Sequence, residues 1–238
     1  MKKRLSLLVL SAFFLMSFNI NAQDADSQNF EGANCTSIMV GKDASTDGSV
    51  MTSHTCDSKY RTWVRWEKAQ EYEKGAMQKI YRGTMHTQDP YDSKGLMEVG
   101  EIPQVSSTYA YLNTAYPCLN EKQLAIGETT FSGPDTLVNP DGMFNIEELE
   151  RIALQRCDNA RDAIKLIAEL IAEYGYGDWG ECITIADPNE VWCMEIMGEG
   201  KKKKGGIWAA QRVPDGEVSV SANIPRIKYL NREDPDNF

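Results

Sequence analysis

The run Cys35-Thr36-Ser37-Ile38-Met39-Val40-Gly41-Lys42 constrains this chain more than any other stretch. It is β-rich and starts abruptly after a polar segment ending in Gly32-Ala33-Asn34. Turn chemistry follows in Ala44-Ser45-Thr46-Asp47-Gly48. Asp-Gly favours a hairpin because both residues tolerate the positive φ that a tight connection needs. The spacing therefore predicts a strand over Thr36–Lys42 and a return over Ser49–Thr55. That pairing brings Cys35 and His54-Thr55-Cys56-Asp57 to one open end.

The leader reads as an export signal. Lys2-Lys3-Arg4 is basic, Leu5 to Phe18 is apolar but too short to span a bilayer comfortably, and Ala22 offers a small residue at the cut before Gln23. No cysteine stands at that junction, so a lipid anchor is not expected. Residues 1–22 are read as a signal peptide, 23–34 as a propeptide and 35–238 as one domain, exported to the periplasm or beyond the cell. A strand that starts on cysteine behind a disposable leader points to Cys35 as the mature N-terminus. One residue then carries a thiol and a free α-amine. The amine has an ordinary pKa of about 7.7–8.0, suited to a base near neutral pH.

Composition excludes some partners. The net charge is −10, and residues 1–34 hold three basic and three acidic side chains, so the leader does not distort it. Nucleic acid and anionic membranes are therefore not expected partners. The one basic run, Lys201 to Lys204, ends in Gly205-Gly206 and reads as a solvated turn. The six cysteines (35, 56, 118, 157, 182, 193) keep a rival open: a non-catalytic secreted binding domain held by disulfides. A domain of this size does not need such staples. Cys157 falls on the apolar side of a helix and Cys193 in a strand, both places where buried thiols are common. The histidines, His54 and His86, stand near no Cys-x-x-Cys pair, so neither a metal site nor another cofactor is expected.

A further strand is predicted at Arg61–Trp66, an irregular stretch from Ala69 to Pro103, and strands at Ser107–Asn113 and Gln123–Phe131. Ile146, Leu149, Ile152 and Ala153 follow a helical period, with Asn145 and Glu148 as a capping pair. A second helix is predicted from about Asn159 to Glu173, ended by Gly175. Four strands follow: Glu181–Ala186, Val191–Met197, Gly206–Arg212 and Glu217–Ala222. Strands, two helices, then strands indicate an α+β protein with helices packed on antiparallel sheet. The end, Asn231 to Phe238, reads as a polar loop with no closing element.

The opening block Cys35 to Ser49 resembles peptidase family C69, bacterial dipeptidases of the N-terminal-nucleophile hydrolase superfamily. So do Leu119 to Thr130, Ile185-Ala186-Asp187-Pro188 and Val213 to Asn223. The likeness runs from Cys35 to Phe238. It implies an αββα sandwich, incomplete here at the C-terminus, and autocatalytic removal of residues 1–34. It also implies hydrolysis of short peptides by Cys35. Asp57 matches the carboxylate that orients the α-amine, and Asn223 the oxyanion-hole asparagine. Thr130 falls near a second oxyanion contributor. His54 stands where an arginine is common, a change from permanent charge to a neutral ring. Arg226, shortly after Asn223, is placed to bind a substrate carboxylate. An amidase or acylase of the same superfamily remains the nearer alternative.

Overall fold

The structure, a computed structural model, describes residues 34–57, 64–82, 97–131 and 133–238. The signal and most of the propeptide, His86, and the first half of the Arg61–Trp66 strand lie outside the described residues. The elements begin with β1 (Cys35–Val40), β2 (Met51–Cys56), β3 (Arg65–Glu67), β4 (Gln70–Glu71), β5 (Met77–Arg82) and β6 (Met97–Pro103). Next come β7 (Ser107–Thr108), β8 (Tyr111–Asn113), β9 (Leu119–Asn120) and β10 (Ala125–Phe131), then α1 (Ile146–Arg156) and α2 (Ala160–Tyr174). Last are β11 (Gly180–Ala186), β12 (Val191–Gly198), β13 (Gly206–Arg212) and β14 (Val218–Ser221).

The hairpin forms, through a connection longer than a two-residue turn that includes a 3₁₀ turn at Lys42–Ala44. Asp47 Oδ1 accepts the Ser49 N–H at 3.1 Å, and Gly48 takes φ 77°. The register then sets Cys35 opposite Cys56 and Val40 opposite Met51. β14 pairs with the other edge of β1, giving the order β14-β1-β2 with the cysteine strand in the middle. A seven-stranded sheet, β13-β12-β11-β10-β9-β8-β3, is the larger element. Both sheets are antiparallel throughout the named pairs.

β1 and β2 pack across β10 and β11, while α1 and α2 lie on the other side of the large sheet. Central strands buried on both faces lose the polar alternation, and all seven residues of β11 are buried. Two cores result. Ile126, Ile183, Ile185, Trp192 and Met194 meet the helices, and Met39, Phe131, Cys182, Val191 and Cys193 lie together in a second cluster. Helices on both outer faces are expected of an αββα sandwich. Among the described residues both helices lie on the seven-stranded sheet. Ile38, Met51, Val218 and Val220 of the small sheet are each 43–55% exposed.

Three expectations are corrected. The stretch from Ala69 to Pro103 contains β4, β5 and β6, not only irregular chain. The β5–β6 pairing has weak alternation and a register shift between Ile80 and Tyr81, which hides it from a period-2 reading. Asn145 does cap α1, accepting the Glu148 N–H at 3.2 Å, but the Glu148 carboxylate turns away to Arg151 and the Tyr81 N–H. Tertiary partners thus replace the return bond of a capping box. The terminal loop is docked: Phe238 exchanges backbone hydrogen bonds with Ala210 at 2.9 and 3.0 Å and stacks on Trp192. Asn159, the φ of 85° at Gly175 and the exposed lysine turn stand as expected.

Acidic groups lie unusually deep on the helix side. Glu128, Glu147, Glu150 and Glu181 are each at most 4% exposed. Neither carboxylate oxygen of Glu150 has a hydrogen-bond partner among the described residues. Burial, then Glu128 and Glu147, hold its carboxyl well above the usual range. A raised folded pKa favours the fold below about pH 4.3, the unfolded value, and loses that contribution as pH rises. Glu150→Gln, which keeps shape without charge, is expected to raise the melting temperature by a few degrees at pH 8 and hardly at pH 4. Thermal denaturation at both pH values checks this; equal effects would refute it.

Candidate functional site

Cys35 opens the middle strand of the small sheet and is 3% exposed. Its backbone N–H donates to Asn223 Oδ1 at 2.6 Å. Asn223 holds φ 55°, a left-handed conformation that asparagine tolerates better than most residues. Ser221, just before it, is hydrogen-bonded to Thr129 across the sheets at 2.9 Å and donates to the Ile224 carbonyl at 3.1 Å. The end of β14 is thereby pinned to β10. Asn223 Nδ2 donates to the Thr130 carbonyl at 2.5 Å.

The Cys35 sulfur lies beside the Cys56 thiol, with the Thr130 backbone and the Asn223 side chain also near it. The contact with Cys56 is the largest influence and, with the Thr130 backbone and the Asn223 side chain, brings the Cys35 thiol below its ordinary value, against burial and the nearby Glu128. The sulfurs are 3.7 Å apart. Cys56 is pushed the opposite way because it keeps the shared proton, and burial and Glu128 add to that shift. Within this pair Cys56 holds its proton more readily than Cys35 does. Cys56 Sγ lies 4.0 Å from Glu128 Oε1.

Asp57 ends the return strand. Its backbone N–H donates at 3.1 Å to the carbonyl of Asn34, the group that precedes Cys35, and its side chain is exposed. The group that receives the Cys35 nitrogen is Asn223. Thr130 meets Cys35 through its backbone, whereas its hydroxyl serves Glu181. His54 pairs with Ser37 and packs on Gly127, where an added Cβ would come within 2.2 Å of its ring. Burial lowers its pKa, so the ring is neutral near pH 7. It lines a cleft of about 660 Å³ with Thr52, Leu119, Gln123 and Asp187. Arg226 lines a different cavity, of about 220 Å³, beside Cys193 and Gln211. The structure therefore gathers Cys35, Asp57, Thr130 and Asn223, sets His54 at a neighbouring cleft, and leaves Arg226 apart.

Cys56 and Glu128 are the two neighbours that sequence reasoning missed. Cys56 was within reach, since a hairpin placing Cys35 and Cys56 at one end makes them cross-strand partners. Glu128 was not, because its approach depends on how the two sheets pack. A second thiol pair, Cys182 and Cys193, has sulfurs 3.4 Å apart, with both residues buried between the sheets. All described cysteines are free.

The chain matches the model of peptidase family C69 over residues 34–238. It is 31% identical over 218 residues to a probable dipeptidase of Latilactobacillus sakei, spanning 86% of this chain and 42% of that protein. It is 25% identical over 214 residues to dipeptidase A of Lactobacillus helveticus, with 86% and 43% covered. The chain thus spans less than half the length of these curated relatives. The Cys35–Cys56 thiol pair at the head of β1, with Asn223 bonded to the Cys35 nitrogen, lies within the matched region. The chain belongs to peptidase family C69.

Proposed function

We propose that this chain carries the nucleophile and oxyanion donors of an exported cysteine dipeptidase, built on an αββα sandwich and matured by its own Cys35. The observation that carries the reading is the amide of Asn223 fixed beside the buried Cys35, its Oδ1 accepting the Cys35 N–H at 2.6 Å and its Nδ2 donating to the Thr130 carbonyl at 2.5 Å. A preset amide of this kind is what an acyl-transfer site needs where charge develops. The dipeptidase names of relatives support the substrate class.

In maturation the Cys35 thiolate attacks the Asn34 carbonyl carbon. That carbonyl already accepts the Asp57 N–H, which polarises it. The Asn34–Cys35 C–N bond breaks, the nitrogen takes a proton and an Asn34 thioester remains. Water then hydrolyses the thioester, freeing the thiol and a carboxylate on residue 34.

In turnover the new α-amine takes the thiol proton, held by Asn223 Oδ1 and oriented by Asp57. The thiolate attacks the peptide carbonyl, and the oxyanion is held by Asn223 Nδ2 and the Thr130 N–H. The ammonium protonates the leaving amine, and water releases the acyl product from sulfur. The peptide lies along the cleft lined by neutral His54. A role for Arg226 on the substrate carboxylate requires the peptide to reach the other cavity, beyond β1.

Intact mass and N-terminal sequencing test this directly. The wild-type chain is expected to begin at Cys35, and Cys35→Ala to keep residues ahead of that point; normal maturation of the variant would sink the reading. Asn223→Ala is expected to lower kcat by about 10²–10³-fold, the usual loss for one oxyanion donor. Alkylation of Cys35 by iodoacetamide, followed against pH, is expected to show a midpoint below the ordinary thiol value of about 8.5. Cys56→Ala should move that midpoint upward, because the donor that favours the thiolate is gone.

A further inference from the structure

We propose that Cys35, Cys56 and Glu128 form a site for a thiophilic divalent cation, zinc ion above all, whose binding reversibly blocks the nucleophile. The sequence argues against a zinc motif by spacing alone, since no Cys-x-x-Cys pair is present near either histidine. The cross-strand register assembles the donors instead. Cys35 stands directly opposite Cys56. One ligand atom from each of Cys35, Cys56 and Glu128 lies within 4.8 Å of the others.

The distances match a tetrahedral ion. Two thiolates at a Zn–S length of about 2.3 Å subtend roughly 3.75 Å across a tetrahedral angle. The two sulfurs are already 3.7 Å apart. A thiolate and a carboxylate oxygen on the same ion sit roughly 3.6 Å apart, from Zn–S and Zn–O lengths of about 2.3 and 2.1 Å. Cys56 Sγ and Glu128 Oε1 are 4.0 Å apart, and all three ligand atoms already lie within 4.8 Å of one another. A disulfide would need the sulfurs to close to about 2.05 Å, a far larger movement. The donor set therefore sits closer to metal geometry than to a covalent bridge.

The fourth donor is the α-amine of Cys35, and this part rests on the maturation proposed above. Amine and thiolate of one N-terminal cysteine close a chelate ring on a single metal ion. In the uncleaved chain the Cys35 nitrogen is an amide that donates to Asn223, and water takes the fourth position. A cation would also offset the charge of Glu128, which acts electrostatically on both sulfurs. Binding displaces the proton shared by the two sulfurs, so affinity rises with pH.

The experiment titrates the purified protein with zinc and, as a spectroscopic stand-in, with cobalt(II), whose thiolate charge-transfer absorbance scales with the number of bound sulfurs. One equivalent of zinc is expected to protect Cys35 from iodoacetamide, and a chelator to restore reactivity. Cobalt should give a two-thiolate band that Cys56→Ser halves, with at least a tenfold weaker zinc affinity. Glu128→Gln should keep the band and weaken zinc. Prior alkylation of Cys35, which needs no variant, should abolish the band. A band of full strength after alkylation or in Cys56→Ser would place the metal elsewhere, for example at Cys182, Cys193 and Glu195, and overturn the proposal. Repeating the titration on the chain retaining its leader separates the two readings. Equal affinity in leader-bearing and Cys35-initiated chains removes the amine donor but not the dithiol site. Loss of Cys56 dependence in both forms removes the site and leaves maturation untouched.

Discussion

Everything distinctive in this structure depends on β1 being paired on both edges. Its partner on one side, β2, delivers Cys56 opposite Cys35. Its partner on the other, β14, ends two residues before Asn223, which bonds the Cys35 nitrogen. Backbone hydrogen bonds thereby locate the thiol from two directions, and the Thr129–Ser221 bond ties that assembly to the large sheet. A nucleophile placed on an edge strand or a loop would have neither support. The strand also starts at Cys35, so cleavage there leaves the Cys35–Cys56 pairing in place and gives up only the bond from Asp57 N–H to the Asn34 carbonyl.

The second constraint is electrostatic. Cys35 lies close to carboxylates that are themselves buried, and Glu128 disfavours its ionisation. Hydrogen bonds from Cys56, Thr130 and Asn223 outweigh that effect. The balance is between short directional bonds and a like-signed charge at greater range, and in a buried site the directional bonds dominate because they replace lost hydration atom by atom. Burial first, and then the charge of Glu128, hold the carboxyls of Glu150 and Glu181 well above the usual range, so both resist ionisation. Because these raised carboxyls cost stability as pH rises, pH is a natural probe of the region.

Much of this was legible in residues. Asp47-Gly48 announced the hairpin, Asn159 and Gly175 bounded α2, and the lysine turn was evident from its glycines. Local rules governed these features, so local sequence sufficed. The β5–β6 pair escaped because burial is uneven along both strands and a shift interrupts their register. Glu148 looked like half of a capping box, yet Arg151 and the Tyr81 N–H claimed its carboxylate. Phe238 looked like the end of a loop, but it finds both an unpaired edge at Ala210 and an aromatic face at Trp192. In each case a long-range partner offered more than the local one.

The amino-acid sequence by itself determined most of the strands, where both helices begin and end, and that Cys35 heads a strand whose hairpin partner returns beside it. Those outcomes follow from turn chemistry, capping and periodicity, all of which act within a few residues. Only the tertiary structure decided that Thr130 serves the sulfur through its backbone, that Asn223 holds the Cys35 nitrogen, and that Glu128 stands behind the thiol pair. It also separated Arg226 from the cleft that His54 lines. Sheet-on-sheet packing brings together residues some 90 to 190 positions apart in the chain, as the bonds of Asn223 to Thr130 and Cys35 illustrate. No local propensity encodes such distances; they follow from burying both faces of β10 and β11 at once.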